Sequence, residues 1–296
     1  MAPGLDLIFL LELAIIGLLA GGLLSLIALG FVLIYKGTGV VNFAMGEFMM
    51  LGAYFFYTAN VMWGWPVMLA LPAALAAVGV AAAVVERSVL RPLAGQPVIS
   101  ILMATIGLAS VGHGLVEAVW GGENYEMPQL LPRKPFLIGE LLIPGQAVWS
   151  FLLAATLIAA LTLYFRFSRT GIAMRAAASD PITAVALGID VRHTQRLTWI
   201  FAGLVGAVAG IVAAATTSLS PALGGVALGV LAVIILGGLD SIAGAIVAGL
   251  IVGVISSLTA GTLGGKVRDI VPYVAVLAIL LIRPYGLFGT RQIERL

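Results

Sequence analysis

The chain of 296 residues is 61% hydrophobic and only 9% charged, with a mean hydropathy of +1.16. Soluble domains are about 45–50% apolar and about 25% charged, so this composition excludes a soluble globular protein and predicts a chain embedded in a lipid bilayer. The net charge of +2 comes without a basic tract interleaved with aromatic residues, so nucleic-acid binding is not expected. The absence of cysteine excludes disulfides and thiolate metal sites.

Apolar stretches long enough for membrane-spanning helices recur along the whole sequence. A helix needs about 20 apolar residues to cross the hydrocarbon core. Breaks in the closely spaced later stretches would change the total, so we expect an all-α polytopic bundle of 8–10 spans with broken helices in a single domain, 1–296. The predicted spans are 7–34, 44–62, 66–86, 98–119, 147–165, 196–217, 224–239, 242–260 and 270–283.

Basic residues predict the orientation of these spans, because Lys and Arg concentrate in cytoplasmic loops. The segments 86–97 and 166–196 and the tail from 283 carry most of the arginines. With nine spans these segments reach one side, which places the N-terminus outside and the C-terminus in the cytoplasm. The outer loop at about 120–146 is then either an ordered turn or a docking surface for an extracytoplasmic partner.

Polar residues interrupt the apolar pattern at residues 35–54, together with several glycines. Unpaired polar groups cost several kcal/mol in hydrocarbon, so irregular backbone at membrane depth persists only inside protein or beside a water-filled cavity. Ionisable residues at such depth are functional-site candidates. We therefore predict a broken helix that lines a transport pathway through Thr38, Asn42, Met45 and Glu47. The alternatives are that Glu47 caps the following helix and that Met45 only fills space.

A second segment, 237–249, repeats the combination of glycine break, acid and apolar helix in the other half of the chain. Paired glycine-interrupted segments indicate a transporter built from two repeats, with the pathway between them. A helix that begins at such a break offers N–H groups and a positive dipole end to a carboxylate. Asp240 and Ser241 therefore join the predicted pathway. The alternative for Asp240 is a helix cap in a cytoplasmic turn.

The longest predicted cytoplasmic connection, about 166–196, contains the signals of a short helix. Asp180 is a good N-cap, Pro181 suits the first helical position and Gly188 suits the C′ position. A helix of about eight residues is about 12 Å long, too short to span the membrane or to bury its own apolar residues. It either stays solvated or docks into a cytoplasmic subunit. The candidate coupling residues are Arg169, Arg175, Asp180, Pro181, Ala186, Leu187 and Gly188.

Four motifs, at 35–54, 169–190, 236–245 and 283–289, resemble those of the LivH-type permeases of branched-chain amino-acid ABC importers. The similarity covers nearly the whole chain. It implies a vitamin-B12-importer-like (type II) permease fold in the bacterial inner membrane, with an ATPase-docking loop at 169–180. It also implies a second permease subunit of LivM type or a second copy, two ATPase subunits that hold ATP and magnesium, and a periplasmic binding protein. No cofactor is expected in this chain.

Three positions differ from the family's usual pattern. Met45 stands where the family often has His, Asp240 where it has Gly, and Ala243 where it has Pro. The family also includes relatives that move urea, short amides and aromatic acids. The substrate class therefore stays open among branched-chain or other small amino acids and related amides or carboxylates.

Two other classes of protein fit part of this pattern. An ion-coupled secondary transporter also uses paired broken helices and would act without an ATPase. An intramembrane enzyme would need a catalytic pair, and His113 with Glu117 is the only candidate. With no third ligand and no cysteine, we expect that pair to be structural. Because no catalytic triad order, zinc-protease motif or phosphate loop is present, we expect no catalytic or metal site and no ATP hydrolysis by this chain.

Overall fold

The structure is a computed structural model that describes residues 7–268, 270–283 and 285–289. Helices form most of this part of the chain. Two of them continue into other helical turns: α2 into a π-helical turn, Thr58–Met62, and α3 into a π-helical turn, Glu86–Leu90, and a 3-10 turn, Arg91–Leu93. The helices are α1 (Leu7–Thr38), α2 (Met45–Tyr57), α3 (Val67–Val85), α4 (Val98–Trp120), α5 (Gly145–Phe167), α6 (Arg169–Ser179), α7 (Pro181–Ala186), α8 (Val191–Thr216), α9 (Leu223–Gly237), α10 (Ile242–Leu263), α11 (Gly265–Arg268) and α12 (Val271–Ile282).

Apolar helical segments appear at all nine predicted positions within the described residues. Six helices are long and apolar enough to cross a membrane by length and composition: α1, α3 with its extension (Val67–Leu93), α4, α5, α8 and α10. Of the other three, α9 and α12 have only 15 and 12 residues, and α2 has 13 residues plus the five of its π-helical turn, all fewer than the about 20 that a full crossing needs. These short segments agree with the predicted broken helices.

A small hairpin adds two strands to the predicted all-helical fold. Strand β1 (Phe136–Ile138) pairs antiparallel with β2 (Leu141–Ile143). Gly139 opens the two-residue turn between them with φ +64°, a left-handed conformation that glycine adopts without a Cβ penalty. The hairpin lies in the predicted outer loop, which is therefore an ordered structure there; its role in docking a partner stays a prediction.

The chain forms two compact units, each described by itself. The first unit comprises the described residues of 1–28, 129–157 and 229–296, and the second unit comprises 29–128 and 158–228. Three helices, α1, α5 and α9, contribute to both. The predicted single domain over the whole chain is not tested by this division and stays a prediction.

Small residues let α2, α3 and α8 approach closely in the second unit. A Cβ atom on Gly206 of α8 would lie 2.9 Å from the Met45 Cε, and one on Gly210 would lie 2.8 Å from the Met49 Cα. On the same helix, a Cβ on Gly203 would lie 3.0 Å from an alanine of α3. Close approach of this kind stabilises membrane helices through van der Waals contact. It also holds the first turn of α2 firmly against α8.

In the first unit α1 and α10 pack through facing glycines. A Cβ atom on Gly21 would lie 2.7 Å from the Gly249 carbonyl oxygen. One turn further along α1, the Ser25 hydroxyl donates a hydrogen bond to the Ile246 carbonyl oxygen at 2.9 Å. An interhelical hydrogen bond in an apolar setting adds to the packing energy, so this pair of helices is fixed both sterically and by a polar contact.

The segment that follows α12 closes the C-terminal end of α9 in the first unit. The Leu287 amide donates to the Leu236 carbonyl at 2.9 Å, and the Phe288 amide donates to the Gly237 carbonyl at 3.0 Å. The last four carbonyl groups of a helix have no partner within the helix, so these bonds satisfy two of them. Gly286 turns the segment toward α9 with φ +79°. The last sequence motif thus acts as a cap.

Candidate functional site

The helix break predicted in the first polar segment is present. Helix α1 ends at Thr38, α2 begins at Met45, and the six residues between them are non-helical; we call residues 39–44 the first junction. Gly39 opens it with φ +73°. The junction is not exposed to lipid throughout, because Asn42 is only 1% exposed. Irregular backbone is therefore enclosed by protein, as the predicted pathway requires.

The first junction lies within the length of α4 and not beyond its end. The Phe43 amide donates a hydrogen bond to the Thr105 hydroxyl at 3.3 Å. Thr105 stands seven residues after Val98, the first residue of α4, or about 10 Å along the helix axis at about 1.5 Å per residue. The same hydroxyl donates to the Leu102 carbonyl at 2.9 Å. The junction is therefore anchored part of the way into an apolar helix.

Side chains of the first junction satisfy its own backbone. The Thr38 hydroxyl donates to the Ile34 carbonyl at 2.8 Å and accepts from the Val40 amide at 3.3 Å. The Asn42 Oδ1 accepts from the Ala44 amide at 2.9 Å. This bond determines which way the Asn42 amide faces, because its oxygen must meet an N–H group. The Asn42 Nδ2 is buried and has no hydrogen-bond partner among the described residues.

Glu47 lies in the first turn of α2 against glycines of two other helices. A Cβ atom on Gly112 of α4 would lie 3.4 Å from its Oε2, and one on Gly224 of α9 would lie 3.0 Å from its Oε1. The Oε2 atom is buried without a hydrogen-bond partner in the described part of the chain. The amide of the N-cap residue Ala44 bonds to Asn42 and not to Glu47. No capping bond from Glu47 to this amide is present, and its pathway role stays a prediction.

A cavity of about 160 Å³ lies beside the first junction in the second unit. Its walls come from the junction, the turn between α3 and α4, α4 itself and the first turns of α8. Apolar surface is provided by Leu90, Ile101 and Trp199. The polar and charged residues that line it are Thr38, Asn42, Glu86, Arg91, Thr105 and Gln195.

A buried carboxylate at one edge of this cavity faces two arginines, of which one, Arg91, lines the cavity. Glu86 is only 4% exposed. Its Oε1 lies 3.4 Å from the Nε of Arg91, and its Oε2 lies 3.4 Å from the Nε of Arg196 on α8. One carboxylate thus faces two guanidinium groups, which leaves the cluster with one uncompensated positive charge. We call these three residues the arginine cluster.

The sequence analysis did not select the arginine cluster. Glu86 and Arg91 lie at the edge of a predicted cytoplasmic loop, where charges are expected in water, and Arg196 lies 110 residues from Glu86. The one available signal was an acid at the very end of an apolar helix, followed by an arginine five residues later. No sequence pattern predicts the π-helical turn that places Glu86 inside the protein.

Helix α7 has the cap that the sequence predicted. The Asp180 carboxylate accepts from the amides of Ile182 at 3.0 Å and Thr183 at 3.1 Å, and the Thr183 hydroxyl also donates to it. The bond from the Thr183 side chain, followed by the backbone bonds, lowers the pKa of Asp180. Pro181 is the first helical residue, and Gly188 ends the segment with φ +82°. The helix has six residues instead of the expected eight.

Three large apolar side chains stand exposed on α7 and the residue that follows it. Ile182 is 84% exposed, Leu187 is 75% exposed and Val185 is 62% exposed; we call them the apolar knob. Ala184 is buried and attaches the helix to the rest of the unit, whereas Ala186 is exposed. Contiguous exposed apolar groups on a rigid element are typical of a binding surface.

The two predicted coupling arginines lie on α6, which is a helix of 11 residues. Its N-cap, Ser168, accepts a hydrogen bond from the Gly171 amide at 2.9 Å. Arg169 begins the helix and is exposed. Arg175 donates to the Arg166 carbonyl at 3.2 Å, so it caps the end of α5. A contact of either arginine with another subunit stays a prediction.

The glycine break of the other half of the chain, residues 238–241, lies in the first unit; we call it the second junction. The N-cap of α10, the helix that follows the junction, is Ser241, whose hydroxyl accepts a hydrogen bond from the Gly244 amide at 3.0 Å. Asp240, for which a helix cap was the alternative to a pathway role, precedes it and is half-buried. Both residues belong to the first unit, whereas the other four predicted pathway residues belong to the second. The common pathway of the six stays a prediction.

His113 and Glu117 lie close together on a largely exposed part of α4. The His113 Nε2 lies 3.5 Å from the Glu117 Oε1, one helical turn away. No group of three or more His, Cys, Asp or Glu side chains that could hold a metal ion occurs among the described residues. The predicted absence of a catalytic or metal site is not tested further by the structure.

A multi-span helical fold with a buried helix break is the architecture expected of a membrane permease. The fold is also found in the structure of PsaBC from Streptococcus pneumoniae in complex with Fab, with a TM-score of 0.50, 13% identity and 95% of each chain covered. This likeness concerns the fold alone. It agrees with the predicted type II importer permease fold.

The sequence comparisons identify the family. Residues 13–280 match the family described as branched-chain amino acid transport system / permease component, and the chain belongs to this family. It is 28% identical to the permease protein LivH of Escherichia coli K12, over 94% of this chain and 95% of that protein. It is 31% identical to the probable LivH of Methanocaldococcus jannaschii, over 93% and 91%. The predicted LivH-type resemblance is confirmed: the chain is a multi-pass permease of an ABC importer.

Proposed function

We propose that the chain forms half of an importer that carries branched-chain or similarly small amino acids inward across the bacterial inner membrane. The names of the relatives support this substrate class. The placement of arginines supports an outer N-terminus and a cytoplasmic C-terminus. The partners would be a LivM-like permease or a second copy, two ATPase subunits that bind ATP and Mg²⁺, and a periplasmic binding protein. This chain would catalyse no reaction itself.

The observation that supports a role in energy coupling is the apolar knob on a capped helix. Asp180 and Gly188 define both ends of α7, so the helix moves as one body when a partner grips Ile182, Val185 and Leu187. Burial of exposed apolar side chains in an interface stabilises the complex by about 25 cal/mol per Å² of apolar surface removed from water. An apolar groove in an ATPase subunit is the matching surface.

Movement of α7 reaches the first junction through α8. Helix α8 begins at Val191, soon after the knob, and packs against both α2 and α3. Its Gly206 and Gly210 touch the first turns of α2, so a shift of α8 displaces the α2 side of the junction. In this mechanism, ATP binding by the partner subunits switches the first junction from one packing arrangement to another.

The proposed pathway residues have different roles. Asn42 and Glu47 each have a buried polar atom without a hydrogen-bond partner among the described residues, which suits contact with water or substrate. Thr38 braces the end of α1. Met45 is fully buried under glycines of α1 and α8, so it shapes the wall without facing the path. Asp240 and Ser241 are proposed pathway residues of the first unit.

The coupling role is tested by Leu187→Asp in the complete transporter. We expect ATP-dependent uptake into membrane vesicles to fall by more than tenfold while the amount of permease in the membrane is unchanged. The matched control is Leu187→Met, which keeps an apolar side chain and should retain uptake. Wild-type uptake by Leu187→Asp would overturn the docking role of the knob.

The rival function, an ion-coupled carrier, makes the opposite prediction about energy. An ionophore that collapses the ion gradients would stop such a carrier, and this chain alone would transport. We expect uptake to continue after the gradients collapse as long as ATP is supplied. We also expect it to stop when ATP is withdrawn or when the ATPase subunits are absent.

A further inference from the structure

We infer that the cavity beside the first junction is a binding site for the carboxylate group of a small apolar amino acid, on the side of the second unit that carries the α3–α4 turn. This inference rests on the proposed function for the cytoplasmic location of that side and for the class of ligand. The evidence is the combination of a free buried donor, an unbalanced charge and apolar walls around one cavity.

The free donor is the Asn42 side-chain amide. The other hydroxyl groups of the lining are engaged: Thr38 bonds to backbone on both sides of the break, and Thr105 bonds to Phe43 and to its own helix. The Asn42 oxygen is held by the Ala44 amide, which leaves Nδ2 as a donor without a partner in the described structure. A buried N–H group left unbonded is unfavourable, so an acceptor is required there.

The charge of the arginine cluster selects an anionic acceptor. Glu86 and Arg91 are the charged residues of the lining, and Arg196 reaches Glu86 from α8. The buried Nε of Arg91 lies near Glu86 but makes no aligned hydrogen bond. A carboxylate would balance the excess positive charge, and arginine binds carboxylates with charge-assisted hydrogen bonds. An amine without a carboxylate, or a metal cation, would add to the imbalance.

The walls and the size select the remainder of the ligand. Leu90, Ile101 and Trp199 provide apolar surface next to the polar edge, and Trp199 is only 3% exposed. The volume of about 160 Å³ is well below the roughly 300–1,000 Å³ of pockets for drug-sized molecules. Since a water molecule occupies about 30 Å³ of liquid, the cavity admits one compact ligand such as a branched-chain amino acid.

A ligand in this position would link the first junction to the α3–α4 turn. It would bond Asn42 of the first junction and Arg91 of the α3–α4 turn at once, and the latter is linked through Glu86 to Arg196 near the start of α8. The site would thus hold the substrate before its release into the cytoplasm, and the bound ligand would stabilise the first junction. A high cytoplasmic concentration of ligand would then slow further uptake.

The test measures equilibrium binding of radiolabelled leucine to inverted membrane vesicles that contain the complete transporter, without ATP or binding protein. We expect saturable binding that 4-methylpentanoate, which keeps the carboxylate, displaces and 3-methylbutylamine, which lacks it, does not. Asn42→Leu and Arg91→Gln should each weaken binding at least tenfold, whereas Arg91→Lys keeps the charge and should lose less. Arg87→Gln, an exposed neighbour in the same turn, is the matched control and should bind like the wild type.

The outcomes separate this inference from the proposed function. Competition by the amine as strong as by the acid, unchanged binding by both Asn42→Leu and Arg91→Gln, or equal displacement by inorganic phosphate would each overturn the apolar carboxylate site. ATP-driven leucine uptake into right-side-out vesicles is measured in parallel. Normal uptake without cytoplasm-side binding overturns the site alone, and binding without ATP-dependent uptake overturns the proposed function alone.

Discussion

The two glycine junctions are similar in sequence but are closed to different degrees. At the second junction, Gly238 lies at φ +106° against the terminal segment, and a Cβ there would be 2.7 Å from the Gly289 Cα. Ser241 caps the helix that follows, and terminal amides bond to the carbonyls that precede. Donors and acceptors on both sides of this break are therefore paired within the protein.

The first junction is open by comparison. Gly39 also has a positive φ, +73°, but nothing lies within 4 Å of the position of a Cβ. Asn42 and Glu47 keep buried polar atoms without hydrogen-bond partners in the described residues, next to a cavity or to glycine surfaces. The comparison teaches that one break is a fixed structural element, whereas the other has the space and the free polar groups that a ligand or a movement requires.

The largest effect is expected for Gly238→Ala. The added methyl group combines overpacking, about 1–3 kcal/mol, with left-handed backbone strain, about 1–2 kcal/mol, and the structure around the second junction leaves no room to relax. We expect a markedly lower melting temperature in detergent and less permease in the membrane. Gly229→Ala is the control, because nothing lies near its Cβ position. Equal melting temperatures for the two variants would show that the second junction is not closed.

The next largest effect is expected for Glu86→Gln, at the cavity of the first junction. Breaking a buried ion pair costs about 3–5 kcal/mol, and we expect about 1–3 kcal/mol because both arginine side chains are one-third exposed and screened by water. Melting temperature and vesicle uptake measure the loss. The exposed Glu140→Gln is the control. Glu86→Gln with Arg196→Gln should lose less than the two single variants added together; strict additivity would contradict the pairing.

A smaller effect is expected for Gly39→Ala at the open junction. Space is available, so only the left-handed backbone is unfavourable, at about 1–2 kcal/mol. Gly39→Asn should lose less, because asparagine tolerates this conformation better than other residues. Melting temperatures of the two variants are compared with that of Gly238→Ala. A loss at Gly39 as large as at Gly238 would remove the distinction between the junctions.

The smallest effect is expected for Ser241→Ala, which removes the cap of α10. An N-cap serine contributes about 0.5–2 kcal/mol relative to alanine, whereas glycine at the same position loses only a few tenths of a kcal/mol. We therefore expect the melting temperature to decrease in the order wild type, Ser241→Gly, Ser241→Ala. The control is Ser110→Ala, at an exposed serine within α4. The reverse order of the two Ser241 variants would argue against a capping role.

Features with local causes were predictable from the sequence. Asp180, Pro181 and Gly188 act through hydrogen bonds and backbone angles within a few residues, and all three occupy their expected positions around α7. The break at the first junction was also predictable, because a polar, glycine-rich segment between apolar stretches cannot continue as a lipid-facing helix. The family motif and the composition then led to the fold class.

Features that depend on distant contacts were not predictable. The arginine cluster requires α3 to extend beyond its expected end and Arg196 to approach from α8, and no local pattern encodes that meeting. A cap at Asp240 was one of two alternatives, whereas the N-cap of α10 is Ser241; both residue types cap helices, and the choice depends on backbone angles. The roles of the candidate pathway and coupling residues are likewise not set by local chemistry, and they stay predictions.

The terminal cap of α9 has a consequence for biosynthesis. The carbonyl groups of Leu236 and Gly237 are made about 50 residues before the amides of Leu287 and Phe288 that bond to them, which corresponds to about 2–10 s at translation rates of about 5–20 residues per second. During that interval the two carbonyl groups must accept hydrogen bonds from water or from the insertion machinery. The native bonds at the end of this helix form only after residues 287 and 288 have been made, so premature termination before residue 287 would leave an otherwise inserted chain with an unfinished helix.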